Sequence, residues 1–476
     1  MSQQISRVET SAGPALASFG NVVCAPLRFA VAFGLGIAAA ATLPAAALPG
    51  YTITAARGAT TAVRLNAPPN ALCMLQAMNS RAGRPLTAFS NSRGVVSYFV
   101  TVPPNARTGD LATVECRNAN RHTIDGVTVL LGAPAAARPI VPVRRATIED
   151  LATNARMGVL PGTPTGFDVT SASDAQLARL GYPMRPDQRI HPYAYTIWRK
   201  LVTTPGAYIT AGGIVNPEVR GPASRSTPRA TRRGVMAGTS FTTVTSSNWS
   251  GDVIDGQPAA FDDVLGAWTV PSVSTDGNFG GSYSSTWVGI DGWGNNDVVQ
   301  DGTEQDATGF GPWGQWTIYY AWYEFFPNQQ VAMSNVSVSP GDQILAESFT
   351  GYDSTGTLNG YYWLYDYTSN QGAFTNAAIP AGASFAGASA EWIEERTTVN
   401  NALYPMPDYG NVQMSSTEAL TNDGNVYHAD GSNAFGAGDS QLNVIMTSNG
   451  LLSGDWLSEG YDYGPNNVGF HYLGWI

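Results

Sequence analysis

From Ser247 to the C-terminus, aromatic and β-branched residues alternate with Gly, Asn, Asp and Ser turns, and no long amphipathic helix breaks the pattern. A period of two sustained over so long a stretch admits antiparallel β structure and little else, best packed as two large sheets face to face. Charge sharpens the picture. From Gly234 onward the chain carries 26 Asp and Glu against Arg396 alone, whereas residues 1–233 carry 24 Lys and Arg against 10 acids. An acidic surface almost devoid of cations repels nucleic acid and anionic lipid, which makes both poor partners. It suits acid conditions: near pH 3 to 4 the carboxylates approach their reference pKa of about 4 and self-repulsion falls. A working pH well below 7 is therefore expected.

The 476-residue chain exceeds one ordinary domain, and its first half divides into segments. Arg28 precedes an apolar run, Phe29 to Ala38, and an Ala-rich stretch ends near Ala45-Ala46-Ala47. Residues 1–47 read as a secretory signal, cleaved or retained as an anchor. Residues 48–136 hold short β-rich runs between Pro, Gly and Asn turns, the pattern of a small immunoglobulin-like sandwich. Cys73 and Cys116 remain once Cys24 leaves with the signal, and a disulfide stapling the two sheets of that sandwich is expected. Residues 137–233 form a linker followed by short helices. Ser173-Asp174-Ala175-Gln176 fits a capping box, and Pro192 opens a stripe of Ala194, Ile197, Trp198 and Leu201 at helical spacing. Residues 219–245 read as an exposed connector, with Arg232-Arg233 as the expected processing point, so that residues 234–476 form the final domain.

Within that domain the chemistry is confined to few places. No Gly-x-Ser-x-Gly elbow, His-Glu-x-x-His site or Asp-Thr-Gly pair occurs, and His428 and His471 stand too far from other ligating or catalytic residues to suggest a triad or metal site. What remains is a set of strand-like segments in a distinctive order: Ser247-Asn248-Trp249-Ser250-Gly251, Trp287-Val288-Gly289-Ile290-Asp291-Gly292, Val299-Gln300-Asp301-Gly302, Ala321-Trp322-Tyr323-Glu324, Ser339-Pro340-Gly341-Asp342, and Ala390-Glu391-Trp392-Ile393-Glu394-Glu395. Together they resemble the glutamic peptidases, also called eqolisins, over roughly residues 245–476. The segment from Leu180 to Lys200 resembles the propeptide that precedes many of them.

The resemblance implies a concanavalin-like antiparallel β-sandwich of jelly-roll type and a secreted, zymogen-derived acid endopeptidase without cofactor. Hydrolysis without a metal or covalent nucleophile needs a base for water, a donor for the oxyanion and a proton for the leaving amine. A carboxylate and an amide supply all three, and the family pattern places these roles on Glu395 and Gln300. Glu391, Ile393 and Glu395 share one strand face, while Trp392 and Glu394 share the other. Trp287 would wall the cleft and position the glutamine, Asp291 would orient it, and Glu324 would hold a proton or water near Glu395. Trp249, Trp287 and Trp322 fit core packing equally well. Partners implied are polypeptide substrates and the chain's own propeptide, the enzyme acting as a monomer, with no membrane contact after processing. Opposite charges suggest a prosegment released as acid neutralises the body's carboxylates. Two rival readings pair the carboxylates differently: a jelly-roll glycoside hydrolase using Glu324 and Glu395, and a lectin needing neither Gln300 nor Glu395.

Overall fold

Along the chain, β-branched and aromatic runs condense into strands wherever alternate positions can be buried, and among the described residues two short segments form helices. The computed structural model describes residues 50–132 and 163–474, apart from stretches at 58–59, 70, 78–85, 91–93, 103–108, 119, 204–207, 211–212, 216–218, 221–231, 237–238, 257–260, 276–279, 310–313, 422, 430–439, 451–454 and 463–466. The expected signal and most of the linker after it lie outside the described residues.

The N-terminal module comprises β1 (Gly50–Ala56), β2 (Thr60–Asn66), β3 (Leu72–Ala77), β4 (Leu86–Phe89), β5 (Val95–Thr101), β6 (Gly109–Arg117) and β7 (His122–Gly132). Five of them form one sheet in the order β1-β7-β6-β3-β4, and β2 pairs with β5. Cys73 and Cys116 are bonded. The bond corrects the expected topology: the two cysteines are direct register partners on adjacent strands β3 and β6, so it links neighbours within one sheet rather than stapling two.

Two helices follow, α1 (Asp174–Arg179) and α2 (Pro192–Thr203). The capping box forms as expected: the Gln176 amide N–H donates to Ser173 Oγ, and the Gln176 side chain accepts from the Ser173 N–H. Short strands β8 (Tyr208–Thr210), β9 (Gly213–Val215) and β10 (Val219–Arg220) lead to the hairpin β11 (Arg232–Met236) and β12 (Thr239–Ser246). The stretch expected as an irregular connector thus contributes strands, because Thr239–Ser246 is β-branched enough to pair in parallel with a C-terminal strand.

The remaining strands are β13 (Trp249–Asp255), β14 (Phe261–Thr269), β15 (Gly280–Ile290), β16 (Val298–Gly309), β17 (Gln315–Phe326), β18 (Val331–Ser337), β19 (Gln343–Tyr352), β20 (Leu358–Asp366), β21 (Gln371–Ala378), β22 (Ser389–Arg396), β23 (Thr398–Val399), β24 (Ala402–Leu403), β25 (Asn411–Thr421), β26 (Val426–His428), β27 (Ser440–Thr447), β28 (Trp456–Asp462) and β29 (Asn467–Tyr472). They form the expected two-layer antiparallel sandwich. One layer runs β27-β13-β22-β15-β16-β17. The other runs β29-β25-β14-β19-β20-β21. Val288, Val299, Trp392 and Phe325 of the first meet Val264, Ile344, Leu364 and Met414 of the second to make the core between them.

Both outer faces are covered. Across the second layer lie α1 and α2, with Leu177, Tyr182, Ala194 and Trp198 packed on Phe349, Tyr361, Trp363 and Phe374. The stripe read from the sequence is the face that docks here. Trp198 is fully buried and its indole donates to the Pro183 carbonyl at 3.1 Å. Trp198→Ala is expected to destabilise the protein by about 3–5 kcal/mol, the cost of a large core truncation, as read by denaturant unfolding. The outer face of the first layer carries the candidate site and part of the N-terminal module.

Candidate active site

Strand β15 runs between β16 and β22, and its register brings the candidate residues into rows. In the first row Gly289 faces Gln300 on one side and Glu391 on the other, and Gln300 continues to Glu324 on β17. Directly paired residues of antiparallel strands project to the same face, so these three polar side chains rise together on the outer surface of the first layer. Gln300 and Glu391 are two strand spacings apart, about 10 Å between backbones, with only a glycine between them. That glycine is required. A Cβ on Gly289 would lie 2.8 Å from the Trp287 ring and 3.2 Å from Gln300 Cβ.

The next row along the strands is aromatic: Ile393, Trp287, Gly302 and Trp322 are aligned. The third row aligns Trp249, Glu395, Ser285, Glu304 and Tyr320. Trp287 connects the first and third rows. Its indole Nε1 donates to Glu395 Oε2 at 2.9 Å, while its far edge overhangs Gly289. Trp249 meets Trp287 edge to face, with centroids 4.9 Å apart.

All three carboxyl and amide groups of the first row are buried. Gln300 Nε2 donates to Glu324 Oε2 at 2.7 Å, which fixes the amide and leaves its second N–H available to another acceptor. Gln300 Oε1 has no hydrogen-bond partner. Ser389 and the Trp293 backbone lie near enough to Glu391 to favour its charged form, yet neither completes a hydrogen bond to its oxygens. Burial, with the charges of Asp291 and Asp255 adding, pushes the Glu391 carboxyl well above the usual range. Glu395 is also raised, by burial and then by the neighbouring Glu304 charge, but its oxygens are engaged. Besides Trp287, Asn248 Nδ2 donates to Glu395 Oε1 at 3.4 Å. Glu304 is raised to about 7 by burial and is held by Ser285, by Thr397 at 2.8 Å and by Gln330 at 3.1 Å.

The Peptidase A4 family model matches residues 247–455, the span that contains every one of these rows. Scytalidopepsin B of Scytalidium lignicola is 30% identical over 201 residues, covering 41% of this chain and 69% of that protein. The chain belongs to the peptidase A4 family. Another relative, aspergillopepsin-2 of Aspergillus niger, is 28% identical over 193 residues, 37% of this chain. The chain spans 65% of that relative's length. Among solved structures, scytalido-glutamic peptidase with a transition state analog inhibitor aligns at 22% identity and a TM-score of 0.37, over 48% of this chain and 98% of that one.

Against the peptidase A4 pattern, the structure distributes the expected residues unevenly. Gln300 and Glu324 are in contact, while Glu395 lies four residues along β22 from the Gln300 row. Glu324 is therefore a neighbour of Gln300 and not of Glu395, and the paired carboxylates of a glycoside hydrolase are not assembled. Trp287, Trp249 and Trp322 are all fully buried, and Trp287 is the one that touches both rows. Asp291 does not orient Gln300. In the left-handed region at φ 68°, it turns its carboxylate onto the N–H groups of Ala386, Gly387 and Ala388 at 2.6 to 3.0 Å. Burial raises its pKa in spite of those bonds. It secures the approach to β22, so Asp291→Ala is expected to cost about 2–3 kcal/mol by stranding one buried and two partly buried donors, measured by chemical denaturation.

Glu391 lies across Gly289 from Gln300, and the space between the two is filled by the edge of the Trp287 ring.

Proposed function

We propose that this protein is a secreted acid endopeptidase that hydrolyses peptide bonds with Gln300 and Glu395 as its working pair. The observation that carries the reading is Trp287, which donates its indole N–H to Glu395 Oε2 at 2.9 Å and reaches with its far edge over Gly289 to the side of Gln300, so that both groups border one indole on one face of the sheet.

A substrate carbonyl lying between the two groups would have the free Gln300 N–H at its oxygen and the Glu395 carboxyl beside its carbon. Glu395 removes a proton from water as the water attacks. The tetrahedral oxyanion is held by the Gln300 amide dipole, already fixed by Glu324, so little reorganisation is needed. Glu395 then returns the proton to the departing amine. Burial and the neighbouring Glu304 charge favour the neutral Glu395 carboxyl in the closed site. Entry of water and of the substrate's polar groups lowers its pKa and frees it to act as base, and its high proton affinity afterwards makes it an effective acid. Among the described residues no helix is long and apolar enough to cross a membrane, and the polypeptide substrates, monomeric state and secretion are part of the same proposal.

The test is incubation of the secreted protein with casein from pH 2 to 8, with a pepsin-type inhibitor present, followed by N-terminal sequencing of the active species. Cleavage concentrated below pH 5 and indifferent to the inhibitor is expected. No cleavage of protein at any pH contradicts the reading.

A further inference from the structure

Past Gln300 and Glu324, the site face continues as an apolar strip. Trp322, Tyr320, Ile318 and Trp316 occupy alternate positions of β17 and point to the same side as Glu324. Such a strip beside the catalytic row has the chemistry to take the large apolar side chains of an extended peptide. It is already occupied. The Phe89 ring of β4 meets Tyr320 edge to face with centroids 5.5 Å apart, and Tyr98 of β5 meets Trp316 in the same way at 6.0 Å. Strand β4 lies against β16 and β17, and β5 pairs with the start of β17 through Phe99, Val100 and Thr101. Module and site face share one hydrophobic cluster.

We propose that the N-terminal β module is a built-in occupant of the substrate strip, with Phe89 and Tyr98 standing where large apolar substrate side chains bind, and that its release exposes the strip. This rests on the peptidase reading of the same face. The helical segment resembling a propeptide sits on the opposite layer and covers none of this strip. The contact is also built with a fault. The Tyr98 hydroxyl is buried in it without a hydrogen-bond partner, a cost that exposure to water removes. Among the described residues three of β5 register on β17, so the backbone tie seen there is short. The Cys73–Cys116 bond lies wholly inside the module and does not tether it to the peptidase domain.

The experiment places a foreign protease site between Gly132 and Thr163 of the full chain, cuts it, and separates the module by size exclusion at the working pH. Two readouts are compared between the intact and the separated protein. The first is kcat/KM on an internally quenched peptide rich in Phe and Leu. The second, made in the Glu395→Gln background, is binding of the same peptide by fluorescence anisotropy, which needs no turnover. At least a tenfold rise in both after separation is expected. Equal peptide binding before and after overturns the proposal. If binding rises while no form hydrolyses peptide, the occupancy stands and the peptidase reading fails. Should the separated protein not stay folded, Phe89→Ala in the intact chain decides: tighter peptide binding supports the proposal and unchanged binding overturns it.

Discussion

Glu395→Gln is expected to lower kcat/KM on protein substrates by at least about a thousandfold, a loss of roughly 4 kcal/mol of transition-state stabilisation. The variant keeps the shape of the side chain and removes its ability to carry a proton, so its near-native circular dichroism should accompany the loss. Gln300→Ala is expected to cost about a hundred- to a thousandfold through the missing oxyanion donor. Glu391→Gln leaves the Gln300–Glu324 and Trp287–Glu395 bonds in place, and its loss should stay within about tenfold. The contrast between the two glutamates is the decisive part. If Glu391→Gln abolishes turnover and Glu395→Gln leaves it, the roles assigned along β22 are reversed.

The second large effect concerns pH. Burial raises the carboxyls of Glu304 and Glu347 to about 7 and that of Glu394 to about 8, from 4.5. A carboxyl with a raised folded-state pKa binds its proton more tightly in the folded protein than in the unfolded chain. Its contribution is complete below about pH 4.5 and is lost as pH rises through 7 to 8. Each such group is worth on the order of 3 kcal/mol, so together they rival the entire stability of a typical domain. The melting temperature is therefore expected to be highest in acid and to fall steeply between pH 5 and 8. Glu394→Gln should flatten that fall. A melting temperature that climbs from pH 4 to 8 would show that these carboxyls are not buried as described.

The same sign governs the helices on the second layer. Beneath α2, Asp263 accepts from the Tyr193 hydroxyl at 2.7 Å. Burial, then the Glu347 charge, raises its pKa well above the usual range. Glu347 is raised by burial, with the Lys200 charge opposing, and Tyr367 lies close enough to feel its charge. His191 stands 3.3 Å from Asp262 at the helix start. With Asp263 and Glu347 both favouring the neutral form, this contact tightens in acid, opposite to the release suggested by the net charges of the two halves. Net charge describes attraction across water, whereas these groups have been taken out of water.

Much of the architecture was legible because it is local. The Ser173 capping box, Pro192 and the Ala194–Trp198–Leu201 stripe each depend on residues within a turn or two, and all occur where read. The two-sheet sandwich followed from a period-two pattern that no helix interrupts. What escaped were facts of register. Alternation placed Glu391 and Glu395 on one face, but that Glu391 lies across Gly289 from Gln300 while Glu395 meets the Trp287 indole is set by pairing between strands a hundred residues apart. Cys73 and Cys116 could be paired from their number, but not assigned to neighbouring strands. The meeting of Val95–Thr101 with β17 joins segments more than two hundred residues apart, and no composition announces it. Asp291 was misread because its motif position lies beside the glutamine's segment, while its backbone turns into the left-handed region and carries the carboxylate to the loop before β22.

The central claim is that the amide of Gln300 and the carboxyl of Glu395 act as one unit on one carbonyl, and a double-mutant cycle tests it most directly. With kcat/KM measured for the parent, Gln300→Ala, Glu395→Gln and the double variant, the account predicts that the double variant is scarcely worse than Glu395→Gln alone. Losses that multiply in full, as for residues working independently, would contradict it.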